Sequence, residues 1–187
     1  SHLDYLDLVE RSRDEGLDVT FDCYPYVYGS TRANIWLPGW TMDGGPELLA
    51  TILDAPKDRA RLRQEMHDRN ALGRTDEGWL TNFRKPENAG YEGRSLLDIS
   101  RERGQDPLDT FLDLMRSEGH SLCAVMIGTN PQTLPAFVSH PCGMVGSDAI
   151  LLGEYPSPRT YGCFPVILAE FVRAEKHLQL PEAIRKM

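Results

Sequence analysis

The feature that most limits what this chain can fold into is a change of texture along it: helix-then-strand segments at both ends, with a charged, helix-prone stretch between. Residues 3–15 place Leu3, Tyr5, Leu6, Leu8 and Val9 on one apolar face and then meet Gly16, a residue suited to ending a helix. Asp18-Val19-Thr20-Phe21-Asp22-Cys23 follows, alternating and β-branched, and runs into Tyr24-Pro25-Tyr26, where proline stops sheet pairing. After Gly119 the texture returns, with strands predicted over 122–127 and 144–148, a helix near 133–138, and closing helices near 166–177 and 181–187. A helix feeding a short turn and a buried strand is the α/β repeat unit.

Between these ends the reading is helical. Pro46 opens a short helix through Leu53, and a second runs from about Pro56 to Asn70 with many i,i+4 charge pairs. Residues 70–93 read as loop around one possible strand, Trp79–Phe83. Ser95 with Asp98 makes a capping-box start for a helix to Arg103, and Asp106-Pro107 starts another whose Leu108, Phe111, Leu112 and Met115 fall at i, i+3, i+4 and i+7. The expected organisation is an α/β portion at 1–37 and 120–187, interrupted by a mainly helical insertion at 38–119.

Composition narrows the function classes. A formal charge of −8 with bases and acids interleaved argues against nucleic acid as a partner, since phosphate contacts need a Lys/Arg excess on some surface. No apolar run approaches the roughly 18 residues of a membrane helix, and the opening Ser1-His2-Leu3-Asp4 lacks the basic end and apolar stretch of a signal peptide; a soluble cytoplasmic protein is expected. Ser1 is not an initiation residue, so the chain reads as a cut or processed piece. Cys23, Cys123, Cys142 and Cys163 form no C-x-x-C pair, and His2, His67, His120, His140 and His177 are isolated from one another, so no metal site is self-evident.

Two segments are built for a site. Asp22-Cys23-Tyr24-Pro25-Tyr26-Val27-Tyr28-Gly29-Ser30-Thr31 ends a strand in phenols and hydroxyls, which at the carboxyl end of a parallel strand can orient a polar substrate or, equally, plug a core. Val145-Gly146-Ser147-Asp148 ends an apolar strand in a carboxylate, a candidate general base or metal ligand, or else a turn or N-cap aspartate. Arg159 carries the planar fork that grips carboxylates, unless it is simply a solvated surface residue.

These segments resemble the N-acyl-D-amino-acid deacylases (D-aminoacylases) of the amidohydrolase superfamily. Asp22-Cys23-Tyr24-Pro25-Tyr26 with Gly29-Ser30-Thr31 is similar to their D-x-Y-P-Y-x-x-G-S-T stretch. Gly146-Ser147-Asp148, then Pro158-Arg159 and Tyr161-Gly162-x-Phe164-Pro165, is similar to their G-S-D … H-P-R-x-[YW]-G-x-F-P. Glu92–Ile99, Gly104–Pro107 and Ala183–Met187 match in the same order. Ser157 stands where that pattern has His, and Ala149 where it has Gly.

The resemblance implies the C-terminal portion of a (β/α)8 (TIM) barrel with a helical insertion. It implies that Asp148 moves a proton from the metal's water to the leaving amine, with Tyr24 and Arg159 holding the substrate's α-carboxylate and Ser30 a nearby polar contact. The family's zinc ligands, one Cys and two His, would lie upstream. His2 is not expected to replace them, so Zn²⁺ is expected in the full-length parent and none on this chain, Asp148 being the one possible ligand. The activity implied is zinc-dependent hydrolysis of small-molecule N-acyl-D-amino acids, with the piece alone inactive. The alternative is a non-catalytic α/β domain with an assembly or scaffold role. Too few strands are visible to close a barrel, so helix repacking or a homo-oligomer is expected to cover the sheet edges.

Overall fold

The computed structural model describes residues 3–73 and 77–187; Ser1 and His2 lie outside the described residues. In chain order the elements are α1 (Asp4–Asp14), β1 (Phe21–Cys23), β2 (Tyr28–Arg32), α2 (Gly45–Asp54), α3 (Pro56–Asp68), β3 (Trp79–Thr81), α4 (Leu96–Arg103), α5 (Pro107–Glu118), β4 (Cys123–Ile127), α6 (Leu134–Ser139), β5 (Gly143–Val145), α7 (Arg159–Val166) and α8 (Leu180–Lys186). Short 3₁₀ turns join several of them, and α7 continues as a π-helix over Ile167–Ala174. Pro165 lies inside α7, and a residue without an N–H forces the ladder that follows to re-space. No described helix is long and apolar enough to cross a membrane.

The chain divides into two compact units: 1–29 with 128–150 and 157–187, and 30–127 with 151–156. Residues 120–127 join the helical unit because β4 pairs antiparallel with β3, Trp79 opposite Val125 and Thr81 opposite Cys123, and buries Cys123, Ala124 and Val125. A run of consecutive apolar residues does not state which partner strand it will take.

In the second unit, local signals build the helices. Ser95 Oγ accepts the Asp98 backbone N–H at 3.1 Å and donates to Asp98 Oδ2 at 2.8 Å, and Asp106 Oδ1 accepts the Leu108 N–H at 2.9 Å, so each cap satisfies an orphan donor of its helix. The α5 stripe is buried as its periodicity predicts, with Phe111 and Leu112 fully covered among Leu49, Leu62, Ile99 and Leu122. Burial of each such side chain contributes roughly 1.5–3 kcal/mol. The expected strand 79–83 stops at Thr81, since Asn82 turns to a φ of 66°.

The first unit centres on a two-stranded parallel sheet, β1 beside β5, with Phe21 opposite Gly143 and Cys23 opposite Val145. Only Phe21–Cys23 of the expected strand 18–23 pairs. Leu134, Val138, Val145, Cys163, Ile167, Phe171 and Ala183 make its core. The expected apolar face of α1 is mostly open: Leu6 is buried, while Leu3, Tyr5 and Leu8 are exposed. Lys186 is buried at the end of α8, its ammonium donating to the Gly143 carbonyl at 2.9 Å.

Candidate active site

The site grows out of the parallel register of β1 and β5. The Gly146 N–H continues the ladder by donating to Cys23 O at 3.1 Å, so the carboxyl ends of the two strands lie side by side. A Cβ at residue 146 would sit 2.2 Å from Asp22 Oδ2, so a larger residue there would need the exposed Asp22 side chain to rotate away. Tyr24 is the first residue beyond β1. Asp148 comes three residues beyond β5, at a φ of 45°, a left-handed conformation that aspartate tolerates better than most residues.

Arg159, the first residue of α7, holds both. Its Nε donates to the Asp148 carbonyl at 2.9 Å, its Nη2 pairs with Asp148 Oδ2 at 2.6 Å, and its guanidinium carbon lies 4.2 Å from the centre of the Tyr24 ring. The Arg159 side chain is 1% exposed and that of Asp148 66% exposed. A buried cation is thereby tied to a carboxylate that still faces solvent, the exposed partner offsetting the cost of burying the charge. A cavity of about 560 Å³ opens beside them, lined in part by Asp22, Tyr24, Thr129, Thr133, Phe137 and Asp148.

Three of the four site residues picked out in the sequence, Tyr24, Asp148 and Arg159, therefore meet, although more than a hundred residues separate the first from the others. The fourth, Ser30, is half-buried in β2 and belongs to the second unit. Arg159 is not a surface residue, and its fork rests on Asp148 itself. Asp22, Thr129 and Thr133 were not picked out as site residues. Alternation along β1 sets Asp22 on the opposite face from Phe21 and Cys23 and was a usable signal, while the two threonines carry no motif. Ser157, in the family's histidine position, is buried with its hydroxyl unpartnered.

Among the described residues no three His, Cys, Asp or Glu side chains converge as a metal ion requires. Burial, above all, pushes the Cys23 thiol up to about 11, away from the thiolate that binds metal. His140 is buried but engaged, with Nε2 3.2 Å from Glu10 and Nδ1 accepting the Cys142 N–H. The described residues offer Asp148 as a single candidate arm for a metal.

Taken together, this is a mixed α/β protein in which a carboxylate and a phenol beyond the carboxyl ends of two parallel strands meet an arginine at the start of α7. No family model matches the chain. Over nearly its whole length the chain is, however, similar to N-acyl-D-amino-acid deacylases. It is 29% identical over 170 residues to the D-aminoacylase of Alcaligenes xylosoxydans xylosoxydans, covering 91% of this chain and 27% of that one. To the N-acyl-D-glutamate deacylase of the same organism it is 27% identical over 182 residues, covering 96% and 28%. The N-acyl-D-glutamate deacylase of Bordetella bronchiseptica, solved with zinc and a phosphonate inhibitor that mimics the tetrahedral intermediate, superposes with a TM-score of 0.67 at 25% identity, over 97% of this chain and 30% of that one. The chain thus spans little more than a quarter of the length of its curated relatives.

Proposed function

We propose that the whole protein hydrolyses the amide of N-acyl-D-amino acids, releasing a carboxylate and a free D-amino acid, with this chain supplying part of an amidohydrolase site on the last β/α units of a TIM barrel. The observation that carries the reading is the Asp148–Arg159–Tyr24 cluster beside a cavity at the strand ends. Similarity to the deacylases along nearly the whole chain supports it.

In this reading Asp148 is the proton carrier. Its carboxylate faces solvent, so it can take a proton as water attacks the amide and return it to the leaving nitrogen. Arg159 sets the direction of that carboxylate through two contacts and brings positive charge toward the α-carboxylate of the substrate, beside Tyr24. Zinc would be held mainly by residues beyond this chain, where it would polarise the scissile carbonyl.

The lack of a converging donor set among the described residues favours a second reading for the 187 residues taken alone, that of an inert α/β piece. Both readings are tested by incubating the zinc-loaded whole protein, and separately this chain, with N-acetyl-D- and N-acetyl-L-amino acids and measuring free amine. Release from D-substrates by the whole protein alone is the expected result. No release by the whole protein from any N-acyl-D-amino acid would overturn the assignment.

A further inference from the structure

We propose that Lys186 is a positioning residue for the site: from the end of α8 it fastens the turn 140–143, which sets the register of β5 and through it the place of Asp148 beside Tyr24. The inference rests on the reading of the site given above. Every residue involved belongs to the unit formed by 1–29, 128–150 and 157–187.

The register needs a fastener because the sheet is so short. β1 and β5 face one another over three pairs, Phe21 with Gly143, Asp22 with Met144 and Cys23 with Val145. An isolated pair of strands is marginal in water, and a slip of one residue turns every side chain to the other face. At the carboxyl end the ladder closes with the Gly146 N–H on Cys23 O. At the amino end the turn from α6 into β5 fixes where pairing starts, and there the Phe21 N–H donates to Cys142 O at 3.2 Å.

That turn is held from two sides. Within it, the Gly143 N–H donates to His140 O at 2.9 Å and the Cys142 N–H to His140 Nδ1 at 3.2 Å, while His140 Nε2 lies 3.2 Å from Glu10 Oε1 on α1. From α8, the Lys186 ammonium donates to the carbonyl of His140 and, at 2.9 Å, to that of Gly143. Lys186 is buried, and so is Ala183 one turn earlier, which packs in the core of this unit and keeps the helix end in place. Burial, above all, pushes the Lys186 pKa down, Glu182 works against it, and Arg185 adds to it. A charge in so costly a place is held there by the carbonyls it grips. Gly143 leaves the turn little slack, since a Cβ would come 2.9 Å from Phe137 O and 3.1 Å from the Phe21 ring.

Tyr24 comes off β1 and Asp148 off β5, so a change at the turn moves one against the other. It also moves Asp148 against Arg159, a pair that meets at 2.6 Å. Reacting groups displaced by about 1 Å can lose on the order of 10²-fold in rate, so a fastener at the foot of β5 bears on catalysis without touching substrate.

Lys186→Met keeps the apolar stem and removes both bonds. In this chain, NMR should show the Gly146 amide exchanging about tenfold faster or more, with the Phe171 amide of the same core changed less, and a shifted Arg159 Nε–H signal. In the zinc-loaded whole protein, kcat on an N-acetyl-D-amino acid should fall on the order of 10–100-fold, with KM changed less. Lys186→Arg, whose fork offers separate N–H groups to the two carbonyls, should recover most of both. Gly143→Ala presses the same turn against Phe137 and Phe21 with the ammonium left in place; it carries the test if Lys186→Met does not fold, and should move the Gly146 and Arg159 signals in the same way. Equal acceleration at Gly146 and Phe171 would reduce Lys186 to a contact of stability alone and overturn the proposal, as would an unmoved Arg159 signal or a wild-type kcat. A whole protein inert on every N-acyl-D-amino acid, with an Arg159 signal that still responds to Lys186→Met, would sink the reading of the site's chemistry and leave the positioning standing.

Discussion

The two compact units reach order by different routes. The 30–127 unit draws its helices from local signals, caps at Ser95 and Asp106 and a heptad-like stripe on α5, and joins them through longer-range contacts such as Arg116 with Asp54. The unit that carries Asp148 is non-local. Its sheet joins residue 21 to residue 143, its core adds residues from α7 and α8, and a buried arginine bridges Tyr24 and Asp148. The site unit thus rests on a few charged contacts between distant parts of the chain, whereas the helices of the other unit start from signals carried by adjacent residues.

The comparison can be broken most forcefully from the helical side. Phe111 is fully buried and packs edge-on against Trp36 with ring centres 5.4 Å apart. Phe111→Ala should cost about 3–5 kcal/mol. All three tryptophans, Trp36, Trp40 and Trp79, lie in this unit, so the indole fluorescence transition in urea reads it selectively. A shift below about 1 kcal/mol would mean that the α5 stripe is not the unit's keystone.

A smaller loss is expected in the site unit. Arg159→Met keeps the stem but removes both bonds to Asp148, which should cost about 1.5–3 kcal/mol, seen by circular dichroism with the indole transition unmoved. An indole transition that moved equally would erase the distinction between the units.

Acid supplies a graded test. Burial works to raise the Glu92 carboxyl, but hydrogen bonds from the Thr81 hydroxyl and the Asn82, Glu154 and Phe83 N–H groups outweigh it and hold the group below its usual range. Its contribution is therefore present above the unfolded value of about 4.3 and is lost as pH falls through the lower folded value. Exchange at the Asn82 and Glu154 amides should therefore speed up below about pH 4.3 in the wild type and show no such step in Glu92→Gln. The smallest effect expected is for Ser157→Ala. Its buried hydroxyl has no partner, so removing it should leave stability within about 0.5 kcal/mol, on the stabilising side. A loss above 1 kcal/mol would mean that the hydroxyl is engaged.

What the sequence told in advance follows the same division. Ser95, Asp106 and the α5 stripe were legible because caps and helical periodicity are properties of adjacent residues. Tyr24, Asp148 and Arg159 were picked out because they sit in motifs, the first two just beyond strands and Arg159 at the start of α7. The pairing of β4 with β3 was not, since a buried run such as Cys123–Ile127 fits either sheet. The four donors on Glu92 come from residues 81–83 and 154, and no local pattern announces that convergence. The open face of α1 was misleading because amphipathicity predicts a buried stripe without saying what covers it.

The central claim is that Asp148 carries the proton, while Arg159 directs that carboxylate and faces the substrate's α-carboxylate without taking part in proton transfer. The most direct test is the kcat and KM of Asp148→Asn in the zinc-loaded whole protein on an N-acetyl-D-amino acid. Asparagine keeps the shape but cannot exchange the proton, so kcat should fall by roughly 10²–10⁴-fold, toward the upper end because both the base and the acid role are lost, with KM little changed. A variant that turned over at the wild-type rate would contradict the account.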